Sequence, residues 1–326
     1  MKQLLLSSAE AVAHAVKLSG VDSTPHYPQP FATEIIKNLE KLGSVDIFDL
    51  PSQSDALNAS IGCLISGRRT FLATSYVHES SDILRVAQMR LPLVIVDVSR
   101  MFNLFTPERN LDAFIDSGWI VFLCESNQEI VDTIIRCYKM CEDSKVMLPA
   151  VISIDHCDFY EPVSLPGEQL IKNFLPKKLR KDSKPRSYAP RKQDVKHALE
   201  SVAKLNAKID ETWKKKFKRI HNLAEPYNLE DAKKVIVTAG LYSATARSAI
   251  DVARKNGEKV GLLRIFSLRP FPESAISELS NKTVAVVDSS LLLYREVSRR
   301  IKCSSFLLNS PSEKDFMNVI SSMKVS

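Results

Sequence analysis

The stretch LPLVIVDVS (residues 91–99) decides the fold class, because it is apolar without interruption up to Asp97. An unbroken apolar run of this length indicates a strand that is buried on both faces of a parallel sheet. Other short runs share this character: VDIFDL (45–50), RTFLATS (69–75), WIVFLCES (119–126) and PAVISID (149–155). Helical patterns lie between them, at residues 32–42, 55–66, 81–89 and 128–141. The alternation predicts a doubly wound α/β domain over residues 1–155.

The alternation stops over residues 156–231, which we interpret as a basic linker followed by a long helix at about residues 193–220. Residues 177–219 contain sixteen Lys and Arg against five Asp and Glu. Such an excess can indicate nucleic-acid binding. The segment has few interleaved aromatic residues, so we expect a solvated or subunit-facing surface and no nucleic acid.

A second, smaller α/β domain is predicted over residues 232–326. Its strands are VIVTA (235–239), VGLLRIF (260–266), TVAVVD (283–288) and SSFLLN (304–309), with helices near residues 244–255 and 272–279.

The N-terminal stretch MKQLLLSSAEAVAHA (1–15) resembles a signal peptide only superficially, because its apolar run is short and Glu10 interrupts it. We interpret it as a helix that Ser7 or Ser8 caps. No apolar run is long enough to span a bilayer. Composition and cysteine usage therefore predict a cytoplasmic protein that does not bind a membrane.

Several kinds of site are excluded by the composition. The chain has nine glycines and no G-x-G, so it lacks a glycine-rich phosphate loop. Its six cysteines include no C-x-x-C pair. Cys137 and Cys141 are spaced as half of a metal site, but no second pair completes it. We expect no metal or iron–sulfur cluster on this chain.

Several stretches, taken in order, carry a family resemblance: EAVAHAVKLSGVDSTPHYP (10–28), ASIGCLISGRRTFLATS (59–75), MRLPLVIVDVSR (89–100) and VGLLRIFSLRPFPE (260–273). Over about residues 8–290 the chain resembles the alpha subunit of the archaeal, multi-subunit pyruvate (2-oxoacid):ferredoxin oxidoreductases. The resemblance implies a pyrimidine-binding-type α/β domain of thiamine enzymes, followed by a transketolase C-terminal-like α/β domain.

The resemblance also implies a reaction and partners. A 2-oxoacid is decarboxylated on thiamine diphosphate, the electrons pass to ferredoxin and the acyl group passes to coenzyme A. A beta subunit would carry the thiamine diphosphate and Mg²⁺ site. Gamma and ferredoxin-like delta subunits would complete the complex, with the iron–sulfur clusters on partner subunits only.

The resemblance assigns a cofactor-facing site. A family motif like ESEHSAM places a Glu against the aminopyrimidine of thiamine, and the matching PSQSDAL (51–57) has Gln53 there. Thr74 and Ser75 are the other predicted cofactor contacts. Gln53 can form hydrogen bonds but cannot exchange a proton usefully. The alternative is a helix-entry glutamine that faces solvent.

The resemblance assigns substrate contacts as well. Arg100 aligns with the family arginine that pairs with the substrate carboxylate, a task suited to a guanidinium; the alternative is a surface arginine at a strand end. In the substrate loop the family pattern YPITP becomes YPQPF (27–31), so that Pro30 replaces a substrate-contacting Thr. Thr33 is the nearby small polar residue.

Two functions remain open at this point. Most departures from the family pattern lie where the family performs its chemistry, including YVHESS (76–81) and MFNLFTPERN (101–110). The first hypothesis is an active alpha subunit of a 2-oxoacid:ferredoxin oxidoreductase. The second is a non-catalytic or regulatory paralogue that assembles with family partners.

Overall fold

A computed structural model describes residues 2–43, 45–75, 80–99, 111–155, 160–176 and 192–324. The chain divides into two compact units, which meet in sequence between His221 and Asn222. No helix in the described ranges is both long enough and apolar enough to cross a membrane. The long helix that follows the basic linker belongs to the first unit. The three-part domain division given above stays a prediction.

The first unit contains these elements in chain order: β1 (Lys2–Leu6), α1 (Ser8–Leu18), β2 (Ser23–His26), α2 (Pro30–Leu42), β3 (Asp46–Asp49), α3 (Gln53–Ile65), β4 (Phe71–Thr74), α4 (Ser80–Gln88), β5 (Val94–Ser99), α5 (Leu111–Ser117), β6 (Ile120–Cys124), α6 (Asn127–Cys141), β7 (Ala150–Asp155), β8 (Glu161–Leu165), α7 (Glu168–Phe174) and α8 (Lys192–Phe217).

Strands β4, β5, β7 and β6 run parallel as neighbours in that order, and their apolar residues are buried. The α/β prediction from LPLVIVDVS is thereby confirmed, since β5 lies between β4 and β7. The predicted strand at residues 45–50 forms as β3 but pairs with β2 in a separate parallel pair. β2 was not predicted, because its sequence STPH is short, polar and contains a proline.

At the N-terminus, the predicted helix forms as α1, and an unpredicted strand, β1, precedes it. Ser7 caps α1 in a capping box with Glu10, as the sequence indicated. The preceding residues form β1, which pairs antiparallel with β8 and was not predicted.

The second unit contains β9 (Ala224–Tyr227), β10 (Lys234–Ala239), α9 (Tyr242–Lys255), β11 (Val260–Ile265), β12 (Ser267–Arg269), α10 (Glu273–Ser277), β13 (Thr283–Asp288), α11 (Leu292–Ser298), β14 (Ser304–Leu307) and α12 (Glu313–Ser322). Strands β14, β13, β10 and β11 run parallel in that order, and β9 adds antiparallel to β11. The four strands predicted from sequence are confirmed. Helices α9 and α12 pack together, with Ile250 and Phe316 in the shared core.

Helix α8 is held against α6 by buried charged and polar side chains. Arg136 on α6 is 1% exposed and donates through Nη2 to Asn206 Oδ1 at 2.8 Å and to Asp210 Oδ1 at 2.5 Å. A second anchor point of α8 lies near its start, at the turn between α5 and β6. Gly118 in this turn adopts φ +86°, and a Cβ there would lie 2.2 Å from Val195 Cγ1. Glycine is required at that turn by conformation and by space.

A second group of charges surrounds His221, just after α8. The fully buried Asp132 accepts from Arg219 Nε at 2.6 Å and from His221 Nε2 at 2.9 Å. Burial alone would lower the pKa of His221, but hydrogen bonds to Asp132 and Glu129 outweigh burial and raise that pKa. Burial would raise the pKa of Asp132, yet its bonds to His221 and Arg219 hold it below the ordinary value.

The first prediction concerns the pH dependence of stability. Because the pKa of His221 is raised by folding, its stabilisation is complete below the ordinary value of 6.5 and is lost as the pH rises through the folded-state pKa. His221→Gln keeps a neutral donor near Asp132. We expect it to lower the free energy of unfolding at pH 6 by about 1.5–3 kcal/mol. The deficit should shrink at alkaline pH in urea titrations; a deficit that does not vary with pH would contradict this assignment.

Candidate functional site

The candidate site forms where two strands end and two helices begin. β2 and β4 are both followed by polar residues at their carboxyl ends, and α2 and α3 start beside them. Gln29 is the N-cap of α2 and is 3% exposed. Gln53 is the first residue of α3, while Thr74 and Ser75 lie at the end of β4. Parallel strands and helix starts meet at such an edge, where ligands commonly bind.

Gln29 connects these residues into one cluster, which we call the amide network: Gln29, Gln53, Thr74 and Ser75. Gln29 Oε1 accepts from the Ser75 backbone N–H at 2.6 Å and lies 3.3 Å from Ser75 Oγ. Gln29 Nε2 donates to Gln53 Oε1 at 3.2 Å. Gln53 Nε2 donates to Thr74 Oγ1 at 3.1 Å, and Thr74 Oγ1 donates to Gln29 Oε1 at 3.4 Å.

A second set of contacts lies on the other side of Gln29. Thr33 Oγ1 accepts from the Gln29 backbone N–H at 3.0 Å and lies 3.2 Å from His26 Nε2. His26 is 2% exposed, and its Nδ1 has no hydrogen-bond partner within the part of the chain that the structure describes. Burial lowers the pKa of His26, against opposing effects of Asp49 and Glu40. Burial therefore favours the neutral form of the ring.

The structure brings four of the predicted site residues together and places the others elsewhere or outside the described ranges. Gln53, Thr74 and Ser75 share the amide network, and Thr33 joins it through Gln29. Gln53 is half-buried, and its side chain bonds to Gln29 and Thr74. Pro30 occupies the first position of α2, where its missing N–H is not needed. Arg100 lies outside the described residues.

Sequence reasoning missed Gln29 and His26. Both lie in the run HYPQP (26–30), in which only Pro30 was predicted as a site residue. Pro30 marks the start of α2, but Gln is not among the residues that usually cap helices and the Gln29 side chain makes no capping bond, so no capping signal pointed to it. Nothing in the local sequence indicates that its side chain reaches Ser75, 46 residues along the chain.

The network's side chains suit a neutral, polar ligand group. All four carry amides or hydroxyls, and none is charged. Among the described residues, no cluster of three or more His, Cys, Asp or Glu is arranged to hold a metal ion. The arrangement can therefore orient a polar ring through hydrogen bonds, whereas a diphosphate would require cations or a backbone cradle.

Known families match both units. A family model described as "Pyruvate flavodoxin/ferredoxin oxidoreductase, thiamine diP-bdg" matches residues 14–228. A second, "Pyruvate:ferredoxin oxidoreductase core domain II", matches residues 232–322. Among curated relatives, pyruvate synthase subunit PorA of Methanocaldococcus jannaschii is 31% identical, covering 94% of this chain and 87% of the relative.

Solved structures show the same fold. The 2-oxoglutarate:ferredoxin oxidoreductase from Magnetococcus marinus aligns with a TM-score of 0.74 at 16% identity, covering 98% of this chain and 65% of that chain. Transketolase from Campylobacter jejuni aligns with a TM-score of 0.59 at 10% identity, covering 97% of this chain and 45% of that chain.

Fold and matched regions define a protein with the α/β domains of thiamine enzymes, and its first matched region is a thiamine diphosphate-binding domain. The chain belongs to the pyruvate:ferredoxin oxidoreductase family, as the alpha subunit of a multi-subunit 2-oxoacid:ferredoxin oxidoreductase. The family and the enzyme class predicted from sequence are confirmed.

The second prediction tests the buried centre of the amide network. Gln29→Met keeps the side-chain length but leaves the Ser75 N–H without its acceptor. Burying an unsatisfied donor costs about 1–3 kcal/mol, so the free energy of unfolding should fall by that amount in urea titrations. Gln169→Met, at an exposed position on α7, is the matched control and should change stability by less than about 0.5 kcal/mol. Equal effects of the two substitutions would show that the Gln29 bonds contribute nothing.

Proposed function

We propose that the amide network faces the aminopyrimidine ring of thiamine diphosphate in an active complex. The observation that carries this proposal is the convergence of Gln53, Thr74 and Ser75 on Gln29. The ring presents nitrogen lone pairs and an amino group, which match a neutral set of donors and acceptors. The diphosphate does not fit this set, so a partner subunit would have to hold it.

The proposed roles follow from residue chemistry. When bound, thiamine diphosphate supplies the thiazolium carbon on which a 2-oxoacid is decarboxylated. Gln53, with Thr74 and Ser75, would orient the ring. Arg100 would pair with the substrate carboxylate, with Pro30 and Thr33 near the substrate. Gln53 can hold a ring nitrogen but cannot deliver or accept a proton usefully, so we propose that this subunit supports slow turnover.

The proposed partners complete the reaction. A beta subunit would hold the diphosphate with Mg²⁺, and gamma and ferredoxin-like delta subunits would complete the complex. Iron–sulfur clusters on the partner subunits would carry the electrons to ferredoxin. Coenzyme A would take the acyl group. The substrate class is a 2-oxoacid, and the relative named as a pyruvate synthase subunit supports a pyruvate-like one.

Purification from the native host tests the proposal. The attached chains would be identified by mass spectrometry, bound thiamine diphosphate would be quantified, and ferredoxin reduction would be assayed with a series of 2-oxoacids. Bound cofactor together with 2-oxoacid-dependent reduction is the expected result. A complex that contains family partners but no thiamine diphosphate would overturn the proposal.

The third prediction separates the two functional hypotheses. Gln53→Glu restores a carboxyl group that can exchange a proton, and acid–base assistance is typically worth about 10²–10⁴-fold. We expect 2-oxoacid-dependent ferredoxin reduction to rise by roughly tenfold or more. Gln169→Glu makes the same chemical change at an exposed site and should have no effect. High native activity that Gln53→Glu leaves unchanged would show that position 53 does not serve the ring.

The fourth prediction concerns Arg100. Losing a charge-assisted contact with a carboxylate costs about 1.5–3 kcal/mol, roughly a tenfold to hundredfold effect. Arg100→Ala should therefore raise the KM for the 2-oxoacid by that factor and leave the subunit composition of the complex intact. An unchanged KM would assign Arg100 a structural role only.

A non-catalytic paralogue is the second candidate. It is favoured by one observation: the side chain of Gln53, where the family motif has Glu, forms hydrogen bonds within the network through both its oxygen and its nitrogen. In that case the purified complex would lack thiamine diphosphate, and Gln53→Glu would produce no gain.

A further inference from the structure

We propose that Gln29 is a positioning residue, which fixes the direction of the Gln53 carboxamide so that position 53 meets the aminopyrimidine ring as a hydrogen-bond donor. The proposal has two halves. The ligand half, that position 53 donates to the ring, rests on the proposed function. The other half, that Gln29 orients Gln53, rests only on contacts within the chain.

The direction of the Gln29 carboxamide follows from one unambiguous donor. The two ends of a carboxamide are similar in size, so their assignment must come from their partners. The backbone N–H of Ser75 can only donate, and it lies 2.6 Å from one end of the Gln29 side chain. That end is therefore the oxygen, and the opposite end carries the amino group.

The orientation of the Gln29 carboxamide in turn fixes the orientation of the Gln53 carboxamide. The Gln29 amino group can only donate, so the Gln53 atom 3.2 Å from it must be the oxygen. The Gln53 amino group is thereby turned toward Thr74 Oγ1 at 3.1 Å. Thr74 directs its own hydrogen to Gln29 Oε1 at 3.4 Å. Each of the three side chains donates to the next in a closed cycle, and Ser75 sets the sense of that cycle.

The reverse orientation of Gln53 is disfavoured by the same contacts. Turning Gln53 alone would bring its amino group against the amino group of Gln29 and remove one hydrogen bond. Turning Gln29 as well would set its amino group against the Ser75 N–H. A buried donor left without an acceptor shifts the ratio of the two orientations by roughly tenfold to hundredfold.

The fixed direction has a chemical consequence for the ligand. A donor at position 53 matches a ring nitrogen that has a lone pair and opposes the protonated form of that nitrogen. A carboxylate at position 53 would need no neighbouring residue to fix its orientation, because its two oxygens are alike. In the patterns quoted above, YPITP has Ile where Gln29 stands, and the ESEHSAM-like motif has Glu where Gln53 stands.

Gln29→Glu is the sharpest test, because it keeps the acceptor for Ser75 and the size of the side chain while it removes the donor. Gln53 should then turn over and present its oxygen. The readout is equilibrium binding of thiamine diphosphate to the assembled complex by calorimetry between pH 5.5 and 8. Native affinity should fall as the ring nitrogen is protonated, and in Gln29→Glu this fall should disappear or reverse. Gln169→Glu should behave like the native complex.

A ligand analogue provides a second readout at fixed pH. In this analogue a carbon replaces the ring nitrogen opposite the amino-bearing carbon. It should bind the native complex about tenfold more weakly than thiamine diphosphate, which is the cost of one lost hydrogen bond, and the discrimination should be lost in Gln29→Glu. Identical pH profiles and identical discrimination in the native and variant complexes would overturn the proposal.

A third experiment, carried out without thiamine diphosphate, distinguishes failure of this inference from failure of the proposed function. Gln29→Glu and Gln53→Glu are combined in the full chain, and urea unfolding is measured at pH 8 and pH 5. At pH 8 two carboxylates would face each other, so the double variant should lose more stability than the sum of the single losses, and the excess should vanish at pH 5. Additive losses at pH 8 would show that Gln29 and Gln53 are not in contact.

Coupling between the two positions in a complex that binds no thiamine diphosphate would refute the proposed function and the ligand half of the inference. The orientation of Gln53 by Gln29 would still stand.

Discussion

The candidate site depends on the need of one buried backbone amide for an acceptor. Ser75 follows the last residue of β4 and is 7% exposed, so its buried N–H needs an acceptor within the protein. The side chain of Gln29 meets this need, and its position there brings the start of α2 against the start of α3. The need of the Ser75 N–H for an acceptor thus fixes where Gln29 lies relative to Gln53 and Thr74.

Much of the fold could be predicted from the sequence, because burial on both faces leaves unbroken apolar runs. The strands β5, β6 and β13 are of this kind. β2 could not be predicted, since its backbone is extended by pairing with β3 rather than by its own residue preferences. The charges on α6 were equally hidden: Asp132 and Arg136 look like a solvated face, yet α8 and the residues after it cover them.

The candidate site was predictable in part, and for a different reason. Gln53, Thr74 and Ser75 were found by matching stretches of sequence to a family, and the structure brings them together. Gln29 was missed because its role depends on an approach between segments that are distant along the chain. The direction of an amide also cannot be inferred from residue identity, since it is set by the donors and acceptors that surround it in space.

The two anchor points of α8 have a mechanical consequence. The helix has 26 residues and is therefore about 39 Å long. Near its start Val195 abuts the backbone at Gly118, and further along Asn206 and Asp210 hold Arg136. A rod fixed at two separated points can neither slide by a turn nor swing about one end. A displacement of its lysine-rich side would therefore also displace α6 and the turn that precedes β6.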